Sequence, residues 1–169
     1  MFLWIIISLI VLYYIIGLFL PSTTTIATSL RMSGEPPTVF RTIKEFKNWE
    51  TWAIWNADNS MNVTLSDPTN QIGSRYRWRS NIKEIKGGLL VLKDTEEPNQ
   101  LNYQLYYGKQ KRGQILFNIE ELPNYTFTTC SITINNKRKI FARYFMLFIK
   151  TALHDNIDEV LLKIDELSV

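Results

Sequence analysis

The run from Met1 to Leu20 (MFLWIIISLIVLYYIIGLFL) carries no charge, and it constrains the chain more than any other feature. A helix rises about 1.5 Å per residue, so about 20 residues reach about 30 Å, the thickness of a bilayer's hydrocarbon layer. Each Ile, Leu, Val or Phe favours insertion by roughly 0.3–0.6 kcal/mol near the helix centre, and about a dozen of them supply on the order of −5 kcal/mol. Ser8 is the one weak polar residue set against that sum. The run is therefore expected to be a transmembrane anchor over residues 1–20. The competing reading is a cleaved secretory signal, which has a basic start, an apolar stretch of about 7–15 residues and a small-residue cleavage site. Here the basic start is missing and the stretch is too long, although Thr25-Ile26-Ala27 forms a poor cleavage context. No cation precedes the run, whereas Arg31, Arg41, Lys44 and Lys47 follow it, so the positive-inside rule predicts a cytoplasmic domain behind it.

The remainder is the usual size of one domain and is expected to fold as one core over residues 26–169, joined through a short linker at 21–25. A formal charge of +3 is far from the concentrated basic stripes of a nucleic-acid binder, and attraction to anionic headgroups accounts for it more economically. Cys130 is the single cysteine, which excludes an internal disulfide and a thiolate metal cluster. His154 is the single histidine, which excludes His-pair zinc sites, and no carboxylate cluster of metal-binding spacing stands out. No metal and no cofactor is implied.

Pro21 breaks the anchor helix, and Ile26 to Met32 reads as a first strand that ends at Gly34-Glu35-Pro36-Pro37. Val39, Phe40, Ile43 and Phe46 then recur at helical spacing, and Asn48 precedes a second short helix on which Trp49, Trp52 and Trp55 fall three apart. Period two follows: Met61, Val63 and Leu65 alternate with polar residues, and Arg75, Arg77 and Arg79 alternate with Tyr76 and Trp78. Further strands are predicted at Gly88–Thr95, Leu101–Tyr107, Gln114–Leu122 and Tyr125–Asn135, with short turn-rich breaks that imply an antiparallel meander. A long amphipathic helix, about Lys139 to Leu167, closes the chain. Its apolar residues, from Phe141, Phe145 and Phe148 to Ile164 and Leu167, read as one continuous face able to cover the whole concave side of the sheet.

The segment Pro36-Pro37-Thr38-Val39-Phe40, followed by Phe46-Lys47-Asn48-Trp49-Glu50-Thr51-Trp52, resembles the opening of bacterial proteins of the START-like, or SRPBCC, superfamily of polyketide cyclase/dehydrase type. Ile72-Gly73-Ser74-Arg75-Tyr76-Arg77-Trp78 resembles a strand of the same proteins, and Gly87-Gly88 and Glu97-Pro98-Asn99-Gln100-Leu101 match the strand and turn that follow. Gly34-Glu35 departs from the Ala-Pro often found before the first helix there, a difference of loop geometry. The resemblance implies an α+β helix-grip fold, a curved antiparallel sheet wrapped around the long C-terminal helix. It also implies an apolar cavity between sheet and helix for a lipid or other hydrophobic molecule, and a site at the bacterial cytoplasmic membrane.

In that fold Tyr76, Trp78, Tyr103 and Leu105 are the expected sheet wall of the cavity, and Phe145, Ile149 and Leu153 its helix wall. Aromatic residues at these periods are also ordinary core, so both readings stand. Arg75, Arg77 and Arg79 lie on one side of their strand and are candidates for an anionic surface, with a solvated face paired to carboxylates as the alternative. A catalytic site needs a nucleophile or base with an orienting partner, and none assembles: His154 and Asp155 are expected to diverge on their helix, and Cys130 is expected to face inward as an inert thiol. The expected function is a membrane-tethered module for a hydrophobic or lipid-like small molecule. The alternatives are a cyclase- or dehydratase-like enzyme and an interaction domain with a filled core.

Overall fold

The computed structural model describes residues 2–53, 61–80, 87–107, 110–137 and 139–169, the side chain of residue 149 excepted. Helix α1 (Phe2–Phe19) is uncharged, mostly apolar and almost wholly exposed, with Gly17 its buried residue. Among the described residues it is the one helix long and apolar enough to cross a membrane. Strand β1 (Thr23–Met32) starts earlier than predicted, so Leu20, Pro21 and Ser22 alone separate it from α1. Threonine's branched Cβ suits an extended strand, and Thr25 is held there by a 3.0 Å hydroxyl contact with Thr133.

Two prolines open α2 (Pro36–Lys44), where their missing N–H groups cost nothing. A 3₁₀ turn, Phe46–Asn48, leads into the single-turn α3 (Trp49–Trp52); Trp55 lies outside the described residues. The strands β2 (Asn62–Leu65), β3 (Arg75–Arg79), β4 (Gly87–Glu96), β5 (Gln100–Tyr107), β6 (Gln110–Leu122) and β7 (Tyr125–Asn135) follow, and α4 (Ile140–Glu166) closes the chain. The seven strands form one antiparallel sheet in the order β1-β7-β6-β5-β4-β3-β2. Curved around helices on one side, this is the helix-grip architecture.

The concave side is divided between elements, which corrects the expectation that α4 covers all of it. Helix α4 packs chiefly along β1, while α2 sits over β5 and β6. Thr28 Oγ1 donates to Asp158 at 2.5 Å and the Ser33 amide donates to Asp165, so α4 runs parallel to β1. The centre is filled by rings from the 3₁₀ turn, α3 and the sheet, which leave the helix no room to lie there.

The face of α4 is also not single. Ile157, Val160, Leu161 and Ile164 are buried against the sheet, with Leu153 packed beside them and Met146 buried nearer the start of the helix. Phe141, Phe145, Phe148 and Ala152 follow one another at helical spacing roughly 140° around the axis from that face, and all four are exposed. Apolar residues on two sides of one helix sum, in sequence, to the same continuous pattern as a single wide face.

Glycine is required where β3 meets β4. Trp78 pairs with Gly88 and lays its indole over the glycine Cα, so a Cβ there would overlap the ring. Gly88→Val is expected to cost about 1–3 kcal/mol through overpacking, read as a lower urea midpoint with an unchanged slope.

Candidate functional site

The interior between the sheet and the short helices is aromatic. Phe46, Trp49, Trp52, Tyr76, Tyr103 and Phe117 are all buried, with ring centroids 4.5 Å apart for Trp49–Trp52 and 4.9 Å for Trp49–Tyr103. The α2 carbonyl of Ile43 accepts hydrogen bonds from both Trp49 Nε1 and Tyr103 Oη, each at 2.8 Å. One carbonyl with two lone pairs thus ties α2, α3 and β5 together. Burial, and secondarily the nearby Glu45 carboxylate, raises the Tyr103 hydroxyl well above its ordinary pKa, so it remains a donor throughout the physiological range.

Of the residues named from sequence, Tyr76 and Tyr103 lie wholly within this cluster. Trp78 lies beside it, 6.3 Å from Tyr76 and 6.0 Å from Tyr107 between ring centroids. Leu105 and Leu153 are half-buried against the core. Phe145 is on the other side of α4, at 52% exposure, and the side chain of Ile149 lies outside the described residues. The structure therefore brings Tyr76, Trp78 and Tyr103 together and sets Phe145 apart from them.

Among the described residues three buried side-chain groups are without hydrogen-bond partners: Asn136 Nδ2 just beyond β7 and, in the interior, Trp52 Nε1 and Thr128 Oγ1, whose residues are 1% and 0% exposed. An unmet indole N–H in an apolar interior costs about 1–3 kcal/mol, so such groups ordinarily mark a place for water or a ligand. Sequence reasoning passed over both, since nothing in the spacing of Trp52 or Thr128 tells that their polar atoms lack partners.

Arg75, Arg77 and Arg79 are exposed on the outer face of β3, as the alternation requires. Their register neighbours are Asn62 and Thr64 on β2 and Gly87, Leu89 and Val91 on β4, so the strands beside them supply no carboxylate in register. The expected divergence on α4 is corrected: His154 Nδ1 lies 3.2 Å from Asp158, one turn on, and the polar atoms of His154, Asp155 and Asp158 fall within 4.8 Å of one another. Residues four apart stack along a helix, which sequence inspection of the 154–155 pair alone does not reveal.

A second region is built where α1 meets α4. Tyr144 stacks on Tyr13 at 4.8 Å and its hydroxyl donates to the Tyr13 carbonyl at 2.6 Å. Arg143 Nη1 donates to Gly17 O at 3.0 Å and lies 3.4 Å from the carbonyls of Leu18 and Leu20, while Nη2 donates to Lys137 O at 2.9 Å. Gly17 permits the approach, because a Cβ there would overlap Ile140. An open groove of about 460 Å³ follows this junction, lined by Tyr13, Tyr14, Lys139, Phe141 and Phe145 among others.

No protein-family model and no curated protein matches the chain. Solved structures share its fold. The chain is similar to the Aha1 protein of Colwellia psychrerythraea, solved as a dimer (TM-score 0.59, 16% identity, 86% of this chain and 97% of that one). It is also similar to TTHA0849 of Thermus thermophilus (TM-score 0.63, 14% identity, 86% and 97%) and to Ms6760 of Mycobacterium smegmatis (TM-score 0.58, 13% identity, 85% and 89%). At these identities the likeness establishes the helix-grip fold alone.

Burial raises the Cys130 thiol far above its ordinary range. The folded chain then keeps a proton that the unfolded chain releases, so this thiol's stabilising contribution is full below pH about 8.5 and declines as pH rises past it. Cys130 is expected to resist Ellman's reagent at pH 8 until denaturant unfolds the protein. Tyr103→Phe is expected to cost about 0.5–1.5 kcal/mol in urea unfolding, the lower end being set by Trp49, which still bonds the Ile43 carbonyl.

Proposed function

We propose that the chain is a single-pass membrane protein whose helix-grip domain binds a hydrophobic or lipid-like small molecule beside the bilayer. The observation that carries this reading is α1 itself: an 18-residue, uncharged and mostly apolar helix, attached to the fold by three residues and exposed over nearly all its length except where α4 meets it at Tyr13 and Gly17. In water such a surface is unfavourable, and a bilayer is the solvent that removes the penalty. A tether this short keeps the domain at the headgroups, next to the hydrocarbon layer into which apolar molecules partition.

The interior supports the binding half of the proposal. Its walls are aromatic and aliphatic, and Trp52 Nε1 and Thr128 Oγ1 are buried groups that an amphipathic guest carrying an acceptor oxygen would satisfy. Tyr76, Trp78, Tyr103, Leu105 and Leu153 are the residues of the sequence reading that we propose line its wall. Cytoplasmic placement is supported by Lys111, Arg112, Lys137 and Lys139, which gather at the sheet end where α1 joins, since Thr23 pairs with Asn135 there and the Asn136 amide bonds Ser22.

The full chain is expected to remain with the membrane fraction after alkaline carbonate extraction. Released from lipid nanodiscs for native mass spectrometry, it is expected to carry one apolar molecule per chain, whose retention falls several-fold in Trp52→Phe. A chain that is extracted by carbonate overturns the tether. A bare mass with no uptake from a lipid panel overturns the binding module and favours a surface-acting interaction domain.

A further inference from the structure

The start of α4 has no counterpart in the proposed function. Phe141, Phe145 and Phe148 are 74%, 52% and 80% exposed, and Leu147 beside them is 59% exposed. The three phenylalanines and Ala152 stand at i, i+4, i+7 and i+11, one stripe about 16 Å long, beyond which the same side of the helix becomes acidic at Asp155 and Glu159. A stripe of large rings open to water, cut off by charge, is the pattern of a helix lying in a membrane interface.

What covers the stripe follows from how α4 is joined to α1. Ile140 and Tyr144 both pack on Gly17, and the Tyr144 ring reaches on to Tyr13, so the first turns of α4 cross the last turns of α1. Tyr13 is six residues before Phe19, about 9 Å back along the helix. An 18-residue helix, about 27 Å long, has no length to spare in crossing a hydrocarbon layer of about 30 Å. If α1 spans, Tyr13 lies within the lipid, and the Tyr144 ring, stacked on it, reaches that level.

We infer that the first three turns of α4 are embedded in the bilayer with α1, the Phe141–Phe145–Phe148 stripe facing acyl chains and Lys137, Lys139, Lys111 and Arg112 meeting anionic headgroups around the junction. The inference rests on α1 being the membrane span. The charges agree with this depth. Of the cations in the first three turns, Arg143 spends its guanidinium on the carbonyls of Gly17, Leu18, Leu20 and Lys137, and Lys150 stands on the side of the helix opposite the stripe, whereas Lys137 and Lys139 are exposed where the helix pair meets the sheet end. The domain is thereby seated in one orientation, with the open groove of Tyr13, Phe141 and Phe145 at acyl-chain level.

The test uses the full chain in vesicles of equal parts phosphatidylcholine and phosphatidylglycerol, with single cysteines labelled by the environment-sensitive dye NBD. Cys130 is buried and does not compete for the label, and Phe148→Cys, Glu159→Cys and Ile10→Cys all fall at exposed positions. The Phe148 label is expected to emit to the blue and to be quenched several-fold more than the Glu159 label by lipids carrying a doxyl group near the head of the chain. The Ile10 label is expected to be quenched by doxyl groups placed deeper. Quenching at Ile10 with a water-like, unquenched Phe148 overturns the embedded stripe and leaves the anchor standing. Absence of quenching at both positions overturns the anchor and, with it, the inference.

Discussion

Pairing of β1 with β7 is the constraint from which the rest of the molecule follows. It runs without interruption from Thr23–Asn135 to Met32–Thr126 and joins segments about a hundred residues apart, with Thr25–Thr133 and Ser29–Thr129 hydroxyl contacts along its outer side. Loop-closure entropy opposes such a distant pairing, but it grows only logarithmically with length. The ladder and its cross-strand contacts are won all at once. Once β1 is the last strand of the sheet, the chain's beginning must lie beside the end of β7. There the Asn136 amide bonds Ser22, and α4 has no choice but to start next to the last turn of α1.

That placement divides α4 into halves with different surroundings. Its C-terminal half buries Ile157, Val160, Leu161 and Ile164 over β1 and β7, each worth up to about 1.5–3 kcal/mol. Its N-terminal half reaches past the sheet, where Met146 is the buried residue and the large rings point outward. The aromatic cluster enforces this arrangement. Phe46, Trp49, Tyr76 and Tyr103 fill the centre of the concave side and are pinned by the doubly bonded Ile43 carbonyl, so α4 is held to the β1 side.

Much of this was legible in the sequence. Alternation located β3 to within a residue at each end, with Arg75, Arg77 and Arg79 outward and Tyr76 and Trp78 inward, because period two maps directly onto the two sides of a sheet. The antiparallel meander and the approximate ends of α4 followed from turn residues and helical spacing, whereas the place of β1 beside β7 did not. What was not legible depends on partners far along the chain. A phenylalanine at Phe145 has the same helical phase whether it faces a cavity, a core or lipid, and only the position of α4 over the sheet decides which. The orphaned Trp52 Nε1 is defined by a missing neighbour, and the bond from Arg143 to Gly17 crosses 126 positions. Hydrophobic periodicity carries direction relative to an element's own axis, and it carries nothing about where that axis lies.

Arg143 shows how such a distant contact resolves two local deficits together. Helix α1 ends with no basic residue in its last turn and Pro21 beyond it, so its final carbonyls lack both intrahelical donors and a compensating charge. Helix α4 begins without a side-chain cap on Lys139 and with a cation among phenylalanines. A guanidinium is a planar fork of five N–H donors, able to reach several carbonyls at once, whereas an ammonium gathers its donors at one point. Set between the two helices, the fork caps one while the carbonyls neutralise the cost of its own charge. The same bonds remove the freedom that a three-residue tether would otherwise retain, so the orientation of the domain relative to α1 is a property of packing rather than of linker length.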